Sequence, residues 1–413
     1  MQIDLNTGVR LHIIPSQKYT TNRILVNFAA HQGHVNNAAR NLLVNLLING
    51  SQNYPDQTAV ARQLSSLYGA ELDGYVARLG LAHNVRLSLT YVNDQIVNDS
   101  LTKKAVNFLH EVLFAPLREG QVLSPTSWQL QRDNLAATLT SWDDDKQYLA
   151  AKRLFNLYFS ADSVMQNPGT GTVQDVISLS NAELMNAYQA MLQEDQIDII
   201  IAGNVDVEQV QKLFADWPLQ PRQPLGSEIF YRQLVLSKIR QGIGQEAIQQ
   251  AKLDLAYNFP VYFLDEDYYS AVVMNGLYGA SPYSLLFNNV REKASLAYYA
   301  SSGYRPFGGY LFVQTGINSN NHDQAERLIQ EQLMAMQDND IDDVQLTRIK
   351  NGLVNGILTS QDNQGQLMER AVISSLTGLT IPENSVDRIL AVNRHQVSAV
   401  AQKVKLQATY FLK

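Results

Sequence analysis

At 413 residues the chain is too long for one ordinary domain, and its hydrophobic content of 45% is that of a globular protein. A net charge of −7 and a pI near 5.5, with no basic stripe, exclude nucleic acid as an expected partner. The absence of cysteine rules out disulfides, thiolate zinc sites and thiol catalysis.

The opening MQIDLNTGVRLHIIPS has no charged segment ahead of an apolar core, and no apolar run approaches ~18 residues. A soluble, cytoplasmic protein without a membrane span is the expectation. Polar and apolar residues alternate around Thr7-Gly8, with Val9, Leu11 and Ile13 on one side, which predicts short strands; Ile24 to Phe28 adds another. Ala39, Leu42, Leu43, Leu46 and Leu47 form the stripe of a helix stopped at Asn49-Gly50. A second helix is predicted over 58–68, with Val60, Leu64, Leu67 and Tyr68 inward. Strands follow at 71–79 and 83–92, then one long helix over 94–114, ended by Pro116. Helices are predicted at 128–142, 146–159 and 181–192, a buried strand at 197–202, and a helix at 205–214.

The second half repeats the order. Helices at 265–278 and 283–293 precede strands at 296–304 and 310–317 and a helix at 321–336, at a spacing of ~225 residues from the first copy. Further helices are predicted at 342–360 and 364–376. Residues 217–226 hold three prolines and no periodicity, as a linker does. Two copies of one α+β unit are expected, 1–216 and 241–413, joined by a linker over 217–240.

Within the second copy, SPYSLLFNNVREKASLAYYASSGY carries the most information. Tyr283, Leu286, Phe287 and Val290 give one apolar stripe, Ser281 is a candidate N-cap, and Pro282 suits the first turn. Arg291 then falls in the last turn of the helix and Tyr298 early in the next strand, near enough to point at one place.

This stretch resembles the Ser-Arg-Leu-Phe…Leu-Arg-Glu-Lys…Leu-Ala-Tyr signature of the pitrilysin family of metallopeptidases, which includes insulin-degrading and mitochondrial processing peptidases. NTGVRLHIIP and IIIAGNVDVEQV extend the resemblance over nearly the whole chain. It implies two homologous α/β-sandwich domains, each an antiparallel-rich sheet covered by helices, forming half of a clam-shell. It also implies that Arg291 and Tyr298 hold substrate main chain; guanidinium and phenol donors suit peptide carbonyls. Leu285 departs from the family's usual arginine.

The family's HxxEH binds zinc through two histidines one turn apart and polarises water with the glutamate. Here the matching positions read Asn41-Leu42-Leu43-Val44-Asn45. A carboxamide cannot replace imidazole, and Val44 cannot act as a base. The third ligand, a glutamate in the family, maps onto QRDNLAATLTS at Gln131 and Thr138. Neither HxxEH nor HExxH occurs anywhere in the chain. No catalytic residue and no metal ligand are therefore assigned, and no cofactor is expected except zinc in a partner subunit.

Other candidates have plainer readings beside them. His31 and His34 form HxxH, but no acid or cysteine nearby in sequence completes a metal site, so two loop histidines are the simpler reading. Residues 75–79 are either a central strand or an edge to which a peptide adds, as in the family. NPGTGTVQD lacks the residues of a phosphate loop and reads as a turn. The resemblance implies a non-catalytic, substrate-binding subunit that encloses peptides or small proteins beside an HxxEH-bearing partner chain, or as a homodimer. An active zinc endopeptidase with a rearranged site at His31 and His34, and a peptide-binding scaffold without any protease, are the alternatives.

Overall fold

The computed structural model describes residues 1–159, 164–226 and 228–413. Three strands open the chain, β1 (Gln2–Asn6), β2 (Val9–Pro15) and β3 (Thr21–His31), followed by helices α1 (Asn37–Asn49) and α2 (Gln57–Ser66). Next come β4 (Glu71–Leu79), β5 (Ala82–Val92), α3 (Asp94–Val97), α4 (Leu101–Phe114) and a small hairpin of β6 (Arg118–Glu119) and β7 (Val122–Leu123). Helices α5 (Pro125–Trp142), α6 (Lys146–Tyr158), α7 (Val173–Ser178) and α8 (Asn181–Glu194) lead to β8 (Gln196–Gly203) and α9 (Val207–Ala215). The rest comprises β9 (Arg240–Gly244), β10 (Ala251–Asn258), α10 (Tyr268–Tyr278), a π-helix (Leu286–Lys293), β11 (Ala297–Arg305), β12 (Tyr310–Ile317), α11 (His322–Gln337), α12 (Asp343–Ser360), α13 (Gln364–Thr377), α14 (Ser385–Ala391), α15 (Arg394–Ala401) and β13 (Lys405–Leu412).

The chain forms two compact units. One contains residues 1–140, 167–229 and 361–379; the other contains 141–166, 230–360 and 380–413. The contiguous halves expected at 1–216 and 241–413 are thus interrupted: α6 packs in the second unit and α13 in the first. The cause lies in the outer sheet faces, which carry polar side chains that these two helices satisfy.

In the first unit the sheet order is β1-β2-β8-β3-β5-β4. Leu11, Ile13, Val85, Leu87, Ile197 and Ile199 are fully buried on its apolar face. Each such side chain contributes roughly 1.5–3 kcal/mol, so this face dominates the unit's stability. With the alternation of a strand, His12, Asn27, Arg86 and Asp198 face the other way. There α13 covers them: Arg86 pairs with Glu369 through two hydrogen bonds of 2.7 and 3.2 Å, and Asp198 accepts from His12, Gln196 and Ser375.

The second unit repeats this plan. Its order is β11-β12-β10-β13-β9, which matches β4-β5-β3-β8-β2, down to the one parallel pair, β13 with β9 and β8 with β2. Leu253, Leu255, Leu311 and Val313 are buried within its core with α10, α11 and α15. On the opposite face α6 covers Asp254, whose carboxylate accepts two hydrogen bonds from Gln147 at 3.1 and 2.9 Å. The expected α+β class and the internal repeat are what the fold displays.

Three local expectations change. The helix over 94–114 is broken at Asn98, whose left-handed backbone (φ 50°) ends α3 before Leu101 starts α4. Helix α2 stops at Ser66, and Tyr68 turns outward at φ 59° instead of packing inward. The predicted helix over 283–293 begins only at Leu286 and is a π-helix; Ser281 and Pro282 belong to the preceding turn, so neither caps it. No helix among the described residues is long and apolar enough to cross a membrane.

Candidate functional site

Helix α1 holds the positions of interest. Asn36 caps it by accepting the Ala39 N–H, and all five residues of the predicted stripe are buried. Asn41, Asn45 and Asn49 recur every fourth residue, one above another. Asn45 donates to the Asn41 carbonyl at 2.8 Å and Asn49 to the Asn45 carbonyl at 2.7 Å, while Asn41 donates to the Thr170 carbonyl at 3.1 Å. The amides at the two positions expected to match the ligands are therefore bound to backbone carbonyls. Val44 is buried against β4, where an added Cβ at Gly74 would stand 2.6 Å from its Cγ1. Helix and strand touch where a catalytic glutamate and water would need room.

The mapped third ligand is equally altered. Gln131 is buried on α5 and lines a cavity of about 450 Å³ with Leu46, Asn49 and Gly50. Thr138 donates to the Asn134 carbonyl one turn back. Neither offers a carboxylate.

Beside α1 lies a buried polar cluster that the sequence did not reveal. Arg40 Nε donates to His83 Nδ1 at 3.0 Å, its Nη2 lies 2.6 Å from Asp195 Oδ2, and His83 Nε2 meets the Gly169 carbonyl at 2.7 Å. Burial, and next the Arg40 charge, hold the His83 pKa down to about 3. Burial raises the Asp195 carboxyl against the pull of Arg40. The signal available was Arg40 within the apolar stripe of α1 and His83 between Ala82 and Val85 on β5. The cluster tethers the turn at 167–171, to which Asn37, Asn41 and Arg78 also donate, and which closes through Gly171 N–H to the Pro168 carbonyl. The NPGTG segment is the turn its sequence predicts.

His31 and His34 flank a short 3₁₀ turn, with ring centroids 5.0 Å apart, and His31 Nδ1 accepts the Gly33 N–H. Burial, then His34, lowers the His31 pKa. Both rings line a cavity of about 830 Å³ with Arg40, Glu183, Asp195 and Arg222. Among the described residues no group of three or more His, Cys, Asp or Glu side chains could hold a metal ion.

In the second unit, the π-helix carries Arg291, whose guanidinium lies 4.6 Å from the Phe287 ring centroid and 3.5 Å from Glu292. Ser295 at φ 52° turns the chain into β11. There the register slips between Ala297 and Tyr299, so Tyr298 is the extra residue of a bulge on an edge strand. Tyr298 is 65% exposed. The two side chains stand on consecutive elements and both reach solvent. Leu285 packs against the core of this unit, an apolar role where the family pattern has arginine. In the first unit β4 is also an edge strand, which answers the alternative left open for residues 75–79.

A five-strand order repeated in two sheets and an α1 without histidine or glutamate at the predicted positions point to a peptidase-like scaffold without a zinc ligand set. The description "Peptidase M16 inactive domain" matches residues 178–353. The probable inactive metalloprotease YmfF of Bacillus subtilis (strain 168) is 29% identical over 409 residues, covering 98% of this chain and 96% of that protein. A conserved protein from Enterococcus faecalis V583 has a crystal structure that superposes with a TM-score of 0.95 at 37% identity, covering 100% of this chain and 98% of that one. A peptidase M16 inactive domain from Pseudomonas fluorescens shares the fold, with a TM-score of 0.81 at 18% identity over 100% of this chain and 97% of its own. The chain is thus a homologue of inactive peptidase M16 (pitrilysin-type) proteins, and its sequence carries no HxxEH.

Proposed function

We propose that this protein holds peptides or small proteins without cleaving them, as the substrate-binding subunit of a zinc peptidase whose HxxEH is carried by a partner chain. The observation that carries this reading is the contrast between two regions. At Asn41, Val44 and Asn45 the metal chemistry is replaced by backbone-bonded amides and a packed valine. Groups suited to an extended peptide are present: the open side of the β4 edge can take an added strand, and Arg291 and Tyr298 stand exposed on the π-helix and the β11 edge. Arg291 supplies donors to peptide carbonyls and Tyr298 a phenol and an apolar face.

The test combines binding and turnover on the purified chain, with fluorescein-labelled unstructured peptides read by anisotropy and by mass spectrometry, with and without added zinc. Binding without cleavage, and cleavage that appears only when an HxxEH-bearing M16 chain is added, is the expected result. Chelator-sensitive cleavage by the isolated chain would overturn the reading. Binding with no effect of any such partner would leave a homodimeric peptide-binding scaffold in its place.

A further inference from the structure

The edge opposite β11 in the second unit is β9, and it differs from the other sheet edges. Lys413 N–H donates to the Gly244 carbonyl and Glu246 N–H to the Lys413 carbonyl, so alternate residues of this strand bond toward β13. The intervening residues, Gln241 and Ile243, therefore aim their backbone N–H and C=O groups away from the sheet. On one face, Gly242 and Gly244 let the strand lie against Tyr410; an added Cβ would stand 2.6 Å from its Cδ2 at Gly242 and 2.3 Å from its hydroxyl at Gly244. On the other face Ile243 is 71% exposed, and just upstream Leu234 and Ile239 are 89% and 51% exposed.

Natural edges carry protection such as a bulge or an outward charge. The β11 edge has its bulge at Tyr298, and β1 carries the exposed Asp4. On β9, the Arg240 guanidinium bends back onto the Leu157 and Phe159 carbonyls at 2.7 and 3.1 Å and does not guard the edge. Residues 230–244 contain Arg232, Lys238 and Arg240 and no acidic residue, in a chain of net charge −7. Among the described residues none of these three cations has a carboxylate within 4 Å, and Arg232 instead lies over the Tyr262 ring.

We propose that β9 is a docking edge for an extended acidic, aliphatic segment of a protein partner, which adds as a strand beside Gln241 and Ile243. The outward backbone groups supply the ladder, Leu234, Ile239 and Ile243 supply apolar contact, and the exposed Lys238 selects carboxylates. A second copy of the same strand is disfavoured, because it brings like charges together. Strand β9 is the edge opposite β11 in its own sheet, so docking there does not depend on the peptide-holding reading.

The experiment uses the full chain and a fluorescein-labelled peptide, Glu-Ile-Asp-Val-Glu-Val-Asp, with a control in which every acid is replaced by lysine. Ile243→Pro removes one outward N–H and the exposed aliphatic group without breaking a bond to β13. Lys238→Glu reverses an exposed charge. The expected result is saturable binding of the acidic peptide alone, about tenfold weaker in Ile243→Pro and several-fold weaker in Lys238→Glu and in raised salt. Circular dichroism and the melting temperature confirm that both β9 variants fold. Equal binding of the lysine peptide, or undiminished binding by folded Ile243→Pro and Lys238→Glu, would overturn the proposal. A concentration-dependent dimer abolished by Ile243→Pro, with no peptide binding, would overturn it in favour of a second copy.

Discussion

Val44 on α1 and Gly74 on β4 meet so closely that a methyl group at position 74 would stand 2.6 Å from Val44 Cγ1 and 2.8 Å from Ile48 Cγ2. Both neighbours are β-branched side chains in a helix, with little rotamer freedom to withdraw. Gly74→Ala is expected to destabilise the first unit by about 1–3 kcal/mol, read as a lower urea midpoint with an unchanged slope. Shortening Val44 relieves the clash, so Gly74→Ala/Val44→Ala should lose less stability than the two single changes together. Simple additivity would show that strand and helix do not press on each other.

The same contact bears on whether activity can be restored. Asn41→His, Val44→Glu and Asn45→His together recreate HxxEH, but Val44 is almost fully buried, and Gln131 and Thr138 provide no third ligand. An unpaired carboxylate buried there costs several kcal/mol. The triple variant is expected to melt well below the parent and to remain without peptidase activity in added zinc. Stoichiometric zinc with no loss of stability would contradict both arguments.

Arg291 and Tyr298 are exposed, so removing them tests binding with little effect on folding. A charge-assisted hydrogen bond to a peptide carbonyl is worth ~1.5–3 kcal/mol. Arg291→Ala is therefore expected to weaken peptide binding by roughly tenfold or more, and Tyr298→Ala by less, each with the melting temperature within a degree or two of the parent. Unchanged affinity in the double variant would remove this pair from the peptide site.

His83 gives the first unit a defined response to acid. Its Nδ1 accepts from Arg40 and its Nε2 faces the Gly169 carbonyl, an arrangement that suits the neutral ring. The unfolded chain takes up this proton near pH 6.5, the folded one only near 3. Stability supported by neutral His83 is complete above pH 6.5 and is lost as pH falls through this window, at up to about 1.4 kcal/mol per pH unit. In His83→Gln the stability of the first unit, followed by hydrogen exchange, is expected to be lower at pH 7 and less steep between pH 6.5 and 4. An equally steep profile would assign the acid sensitivity to other groups.

How much of this was legible follows from where each signal resides. The stripe of α1 and the strands around Val85 and Tyr310 obey simple periods, and the repeated order of helices and strands made the two-unit plan readable. The loss of HxxEH is a local pattern and needed no structure. The position of α6 and α13 was not legible, because each packs on a sheet built from distant sequence: Gln147 finds Asp254, and Glu369 finds Arg86. Strands β9, β10 and β13 were missed, although β10 alternates Leu253, Leu255 and Tyr257 with Lys252, Asp254 and Asn258, a period-2 signal present in the sequence. The π-helix arises from i→i+5 bonding, such as Ala294 N–H to the Asn289 carbonyl, which an α-helical period cannot announce. His83, Arg40 and Asp195 come from three separate elements, and only folding brings them together.

Asp254 should make the second unit respond to pH in the opposite sense. Burial pushes its carboxyl up to about 7, against the hydrogen bonds from Gln147 that favour the charged form. The unfolded chain releases this proton near pH 4, whereas the folded unit keeps it until about 7. Stability is fully present below the unfolded value and declines as pH rises through the folded one. Lys252 and Asp145 are the charged groups nearby, and Tyr299, which donates to Gln147, is itself raised by burial and stays neutral throughout. Asp254→Asn removes the titration and lets the Gln147 amide turn over to keep a hydrogen bond. Its stability relative to the parent should therefore rise steadily from pH 4 to pH 7, measured by hydrogen exchange on β10 and β12. A difference independent of pH would mean that Asp254 is charged in the folded protein across the whole range.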